Sequence, residues 1–62
     1  MDLSSLTIAD LYAMKSEAKE KEAYYRVLKV ASPEAAQHQQ FFADVLYHAD
    51  KELVKRLEDL KK

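Results

Sequence analysis

The side chains best suited to acid–base or metal chemistry lie in the second half of the chain. Asp44, His48 and Glu52 stand four residues apart, so they share one face if this segment is helical. A carboxylate–imidazole–carboxylate row could ligate a metal ion or orient a general base. On a helical wheel, Asp44 lies about 200° from Phe42, which places the row on the solvent side. We therefore expect a row of exposed polar pairs here, with no catalytic residue and no metal site.

The composition argues against several other kinds of chemistry. Cysteine and glycine are both absent. Without cysteine there is no disulfide and no thiolate metal or redox site, and without glycine phosphate-binding loops and dinucleotide-binding turns are disfavoured. The chain also has no Glu-x-x-His motif and no nucleophile–histidine arrangement. We therefore predict a protein that is not an enzyme and binds no cofactor.

Basic residues form a partial stripe along the first half of the chain. Glu22 interrupts the stripe and stands four residues before Arg26, an order that favours a local ion pair. The net charge of −1 gives no broad attraction for nucleic acid. The stripe could still follow phosphates while a tyrosine stacks on a base, so RNA or a phosphate-bearing small ligand is the alternative prediction. Its contact residues would be Tyr12, Lys15, Lys19 and Arg26, with Lys29 continuing the stripe.

Aromatic side chains cluster around the middle of the sequence. Tyr24 and Tyr25 lie before it, and Phe41 and Phe42 follow the polar run Gln-His-Gln-Gln at 37–40. Aromatic anchors beside adaptable polar groups are typical of protein interfaces. In the simpler interpretation, Tyr25 and Phe42 are core residues and the polar side chains bond across the core or to water. We predict a surface for self-association or partner binding, made of Tyr24, Tyr25, Val27, Phe41, Phe42 and Val45.

Helices must position all of these residues, because strong helix formers dominate the composition. A helix start is predicted just after Thr7, whose hydroxyl can cap the first turn while the Asp10 side chain bonds back to the Thr7 N–H. Leu6 and Leu11 have the spacing of the hydrophobic staple that accompanies such caps. Nothing interrupts the pattern until the hinge, so the first helix should cover 8–31.

A single proline marks the hinge, which we place at 31–33. Pro33 disfavours the helical conformation for Ser32, but it suits the first position of a new helix with Ser32 as the cap. The second helix should then cover 33–60. So short a connection favours an all-α antiparallel hairpin of the coiled-coil type. The alternative is one rod kinked at Pro33, with each arm packing on another chain.

Folding the chain at the hinge pairs residues whose numbers sum to about 63, which predicts the seam between the helices. The second helix contributes Ala35, Phe42, Leu46, Ala49, Leu53, Leu57 and Leu60, and the first contributes Ile8, Leu11, Met14, Ala18, Tyr25 and Leu28. Large side chains then face small ones, as interdigitation requires. Leu3 and Leu6, from an N-terminal extension over 1–6, should cover the last two leucines of the second helix.

One hairpin seam cannot bury all the apolar side chains. Tyr24, Val27 and Ala31 form a second strip on the first helix, and Phe41 and Val45 do so on the second. A domain of about 60 residues buries only about 60% of its chain surface, and two helices bury less. We therefore expect self-association into a four-helix bundle or higher oligomer, most simply an antiparallel dimer. The function predicted is a small interaction module, an inhibitor, adaptor or regulator, that also binds a protein partner.

In length and layout the chain resembles the small plasmid copy-number RNA-binding proteins of the Rop type. These are dimeric four-helix bundles that bind RNA through one helix face. The string His48-Ala49-Asp50, followed by Glu52-Leu53, is similar to the second helix of that family. The first helix has no match for the family's RNA-contacting residues, so the resemblance implies an architecture and carries the RNA-binding function poorly.

The sequence also gives an expectation for where in the cell the protein is located. Its apolar runs are only a few residues long, whereas about 20 are needed to span a bilayer. Residues 1–5 lack the basic and apolar segments that begin a signal peptide. We expect one helical domain over 1–62, in the cytoplasm of the host cell and with no membrane partner.

Overall fold

The computed structural model describes residues 3–61 and shows a helical hairpin. Helix α1 spans Ile8–Leu28 and helix α2 spans Ala35–Leu60, and the two pack along their length. No strand occurs in the described part of the chain, whose dimensions are 48 × 17 × 16 Å. The predicted all-α hairpin is therefore confirmed, and the kinked rod is wrong. Residues 1 and 2 of the predicted extension lie outside the described residues.

The start of α1 follows the predicted cap. Thr7 has an extended backbone, with φ −77° and ψ 167°. Its Oγ1 accepts a hydrogen bond from the Asp10 N–H at 3.0 Å, and Asp10 Oδ2 accepts one from the Thr7 N–H at 3.2 Å. This reciprocal pair satisfies two donors that the first turn of a helix cannot bond internally.

The hinge is longer than the sequence suggests. Two backbone N–H groups, those of Ala31 and Ser32, donate to the carbonyl of Leu28, so the chain leaves α1 through tight turns. The Ala35 N–H then donates to the carbonyl of Ser32 at 3.0 Å. Pro33 thus lies in a turn rather than in the first helical position. The predicted cap at Ser32 is wrong, because no side chain caps α2.

The core between the helices contains few large side chains. Its buried hydrophobic residues are Leu3, Leu11, Ala18, Ala35, Val45, Ala49 and Leu53. One cluster joins Leu11 to Ala49 and Leu53, with Met14 packed beside it. These neighbours are the ones that folding at the hinge predicts, so the register of the two helices is confirmed.

Two leucines at the end of α2 depart from the predicted seam. Leu57 is 42% exposed and Leu60 is 73% exposed. Since α1 begins only at Ile8, the last turn of α2 extends past it and has no helix to pack against. Leu28, predicted in the seam at the other end, is also exposed because α1 ends there.

Arg56 binds the segment that contains Leu3 and Leu6, the residues predicted to cover these leucines. Its Nη2 donates to the carbonyls of Leu3 at 2.9 Å and Ser4 at 3.0 Å, and its Nη1 donates to the carbonyl of Leu6. Its Nε donates to Glu52 Oε1 at 3.0 Å. The guanidinium therefore holds residues 3–6 against α2, and Leu3 is directed into the core cluster instead.

Arg56→Lys tests this clamp. Lysine keeps the charge but lacks the planar fork that reaches several acceptors at once. We expect the free energy of unfolding to fall by about 1–3 kcal/mol, the usual effect of losing hydrogen bonds from a charged group. Urea unfolding followed by circular dichroism, at one fixed chain concentration, measures it. Lys55→Gln, at the neighbouring exposed position, is the control and should change stability by less than about 0.5 kcal/mol. Equal behaviour of the two variants would contradict the clamp.

Candidate protein-binding surface

Five rings meet near the hinge end of the hairpin and form an aromatic cluster. The Tyr25 ring stacks with His38 at a centroid distance of 5.0 Å and with Phe42 at 5.7 Å. Tyr24 meets Tyr25 edge-on, and Phe41 meets Phe42 edge-on, each at 5.1 Å. The structure thus brings together the aromatic residues predicted to cluster, one pair from each helix, and the stack of Tyr25 on Phe42 joins the two pairs.

The cluster divides into an inner and an outer part. Tyr25 and Phe42 are half-buried and pack across the seam, as the simpler interpretation of the sequence expects. Tyr24 is 61% exposed and Phe41 is 57% exposed. The outer pair therefore presents ring surface that the hairpin itself does not cover.

The two valines of the predicted surface are placed differently. Val27 lies exposed on the outside of α1. Val45, predicted on the outer strip of its helix, is instead buried at 8% exposure. The seam is wider than the predicted stripe, because the small side chain of Ala18 opposite leaves room for Val45 to turn inwards.

An open apolar groove runs beside Phe41, with a volume of about 290 Å³. It is lined by Met14, Glu17, Ala18, Phe41, Phe42 and Val45. Because Ala18 is small and its neighbours are larger, the groove is deepest at Ala18. Lys21 lies at its rim, with Nζ 5.7 Å from the centroid of the Phe42 ring. We call this side of the hairpin the groove face.

The opposite side, the polar face, is closed by hydrogen bonds between the helices. Lys15 Nζ lies 2.6 Å from Asp50 Oδ1. Glu22, buried at 8% exposure, accepts a hydrogen bond from Gln39 Nε2 at 3.0 Å and also binds Arg26. The helical repeat places Lys15 and Glu22 on the side of α1 away from the groove. The two faces therefore differ in chemistry.

Glu22 accepts three side-chain hydrogen bonds on the polar face, two from Arg26 and one from Gln39. Its bond to Arg26 and, second, its bond to Gln39 lower its pKa below the ordinary value of 4.5, although its burial opposes this. The sequence revealed only the pair with Arg26. The bond to Gln39 depends on the register between two helices, which no local spacing specifies.

Glu22→Gln tests the polar face through pH. Because folding lowers the pKa of Glu22, its charged form stabilises the fold fully above about pH 4.5, and this stability is lost as the pH falls through the lowered value. We expect the variant to melt at a lower temperature than the parent at pH 7. The difference should close as the pH falls through the lowered pKa of Glu22.

Thermal melts by circular dichroism between pH 7 and pH 2 measure this difference. Glu17→Gln is the matched control, since the Glu17–Lys21 pair is exposed and 3.8 Å long, and such pairs contribute little. A difference between Glu22→Gln and the parent that persists unchanged at low pH would show that the charge is not what stabilises this face.

The basic stripe is partly neutralised. Arg26 binds Glu22, as its spacing predicts, and Lys15 binds Asp50 on the other helix, which the sequence did not suggest. Lys19 and Tyr12 lie exposed on α1. Binding of RNA or of a phosphate-bearing ligand by this stripe stays a prediction.

The side chains of the predicted row on α2, those of Asp44, His48 and Glu52, each contact a different neighbour. Asp44 accepts a hydrogen bond from Gln40 at 3.0 Å, and Glu52 binds Arg56. His48 meets the Tyr47 ring edge-on at 5.4 Å. Within residues 3–61, no group of three or more histidine and carboxylate side chains is arranged to hold a metal ion.

Comparison of the chain with protein-family models, with curated proteins and with solved structures finds no match in any of the three. Neither described helix combines the length and the apolar character needed to cross a membrane.

Proposed function

We propose that this protein is a non-enzymatic helical interaction module that self-associates and binds a protein partner through apolar surface left exposed by the hairpin. One observation carries the proposal. Among residues 3–61, ten large hydrophobic side chains are exposed, whereas seven hydrophobic residues are buried and three of those are alanine. More large hydrophobic side chains are thus exposed than fully buried.

A core of this size is small for the structure it supports. The large side chains that are buried are Leu3, Leu11, Val45 and Leu53, while the helices contain 21 and 26 residues. Ordering each residue costs roughly 1–2 kcal/mol of backbone entropy, and small scaffolds usually offset this cost with additional burial or cross-links. The chain has no cysteine. Association with another protein surface supplies the additional burial.

The chemistry of the surface indicates how a partner is recognised. The exposed ring of Phe41 lines the apolar groove, and the exposed ring of Tyr24 belongs to the same aromatic cluster, where His38 adds a polar group. The net charge of −1 provides little long-range steering. Recognition then depends on apolar burial, which suits an inhibitor, an adaptor or a regulator.

Phe41→Ala and Tyr24→Ala test the proposal. Each should weaken self-association by about tenfold to a hundredfold, the range for truncation of aromatic hot spots, with little loss of helix. Sedimentation across micromolar concentrations, with circular dichroism on the same samples, measures both quantities. Tyr47→Ala is the matched control, because Tyr47 is 57% exposed like Phe41 but lies on the other side of α2.

Parallel loss of helix and association would contradict the proposal, since Phe41 and Tyr24 would then be core residues. Steep salt dependence of RNA binding, abolished by changing Lys15 or Lys19, would favour the alternative function. A folded monomer at every concentration would remove self-association from the proposal and leave the groove face for a different protein.

A further inference from the structure

We infer that the groove face binds a second copy of this chain in antiparallel orientation, with a twofold axis at the level of Val45. The inference rests on the proposed function and specifies which surface self-associates and in which geometry. Four features of the hairpin support it.

The first feature is the contrast between the faces. On the polar face, Lys15, Asp50, Glu22 and Gln39 already satisfy one another across the seam. Covering them would remove charged groups from water without supplying new partners. The groove face instead presents an open apolar floor and the exposed ring of Phe41.

The second feature is the position of the groove along the rod. Ala18 stands at the middle of α1, and Val45 stands within about three residues of the middle of α2. With a twofold axis at this level, two 48 Å hairpins lie side by side along their full length. An axis near either end would leave most of each groove face uncovered.

The third feature is the match between the two ends of the groove. Phe41 borders it towards the hinge, and Met14 borders it about two turns further along the rod. Because these ends lie at nearly equal distances from the level of Val45, the axis brings Phe41 of each copy to the level of Met14 of the other. An exposed ring thus meets a flexible thioether, a favourable pairing.

The fourth feature is the charge at the rim. Glu17 lines the groove, and Lys21 lies over the Phe42 ring at the same rim. In an antiparallel pair whose axis passes between them, Glu17 of one copy meets Lys21 of the second copy, and the reverse contact follows from symmetry. In a parallel pair, Glu17 would face Glu17 and Lys21 would face Lys21. The charges at the rim therefore favour the antiparallel orientation.

Spin labels on single cysteines test this geometry, because the chain has no cysteine of its own. We choose Glu17→Cys on the groove face, Lys19→Cys at the same level on the other side of α1, and Glu58→Cys near the end of α2. Pulsed electron resonance then gives the distance between the two copies of each label. Sedimentation of each labelled chain shows whether it remains associated.

The expected distances follow from helix geometry. The Glu17→Cys pair should be the shortest, and the Lys19→Cys pair should be longer by about 20 Å, since two helix diameters of roughly 10 Å are added. The Glu58→Cys pair should lie about 40 Å apart, because each label is about 13 residues from the axis at 1.5 Å per residue. If the Glu17 label prevents association while the Lys19 label does not, the groove face is equally supported, since the label then fills the interface.

Other outcomes overturn the inference. A Lys19→Cys pair closer than the Glu17→Cys pair would place the interface on the polar face, and a short Glu58→Cys distance would show a parallel pair. Either result would leave self-association intact. An unlabelled chain that is monomeric at all concentrations would overturn the inference and self-association together, whereas binding of a different protein through Phe41 and Tyr24 would still stand.

Discussion

Close approach of the two helices is the constraint on which the rest of this structure depends. Ala18, Ala35 and Ala49 are almost fully buried along the seam, and such small side chains let helix backbones come close together. Because alanines occupy several of the buried positions, few of the residues buried along the seam are large. Apolar residues that the seam cannot hold lie at its edges or outside, so the small core, the groove at Ala18 and the exposed rings have one origin.

Contacts at each end of the hairpin add to the packing of the buried alanines and leucines along the seam. At the open end, Arg56 binds three backbone carbonyls and draws Leu3 into the core. At the hinge end, Tyr25 stacks across the seam and Glu22 bonds to Gln39. These contacts combine hydrogen bonding with packing, and they fix the register that a seam of alanines would specify only weakly.

Local rules predicted the parts of this fold that depend on local chemistry. The cap at Thr7 and the neighbours of Leu11 follow from spacing alone. The predicted bounds of the hinge were wrong because Pro33 suits a turn as well as a first helical position. The prediction that Leu57 lies in the seam was wrong because a regular apolar stripe does not reveal where the opposing helix begins. The clamp at Arg56 joins residues about fifty positions apart, so no window of sequence contains it.

The clamp also fixes where the chain enters and leaves the rod. Residues 3–6 are held against the last turns of α2, so Leu3 and Lys61 lie towards one tip of the 48 Å body, while the aromatic cluster lies towards the other tip. The first and last described residues are thus remote from the rings. A dye or tag attached at Lys61 would therefore lie far from the rings and leave them accessible.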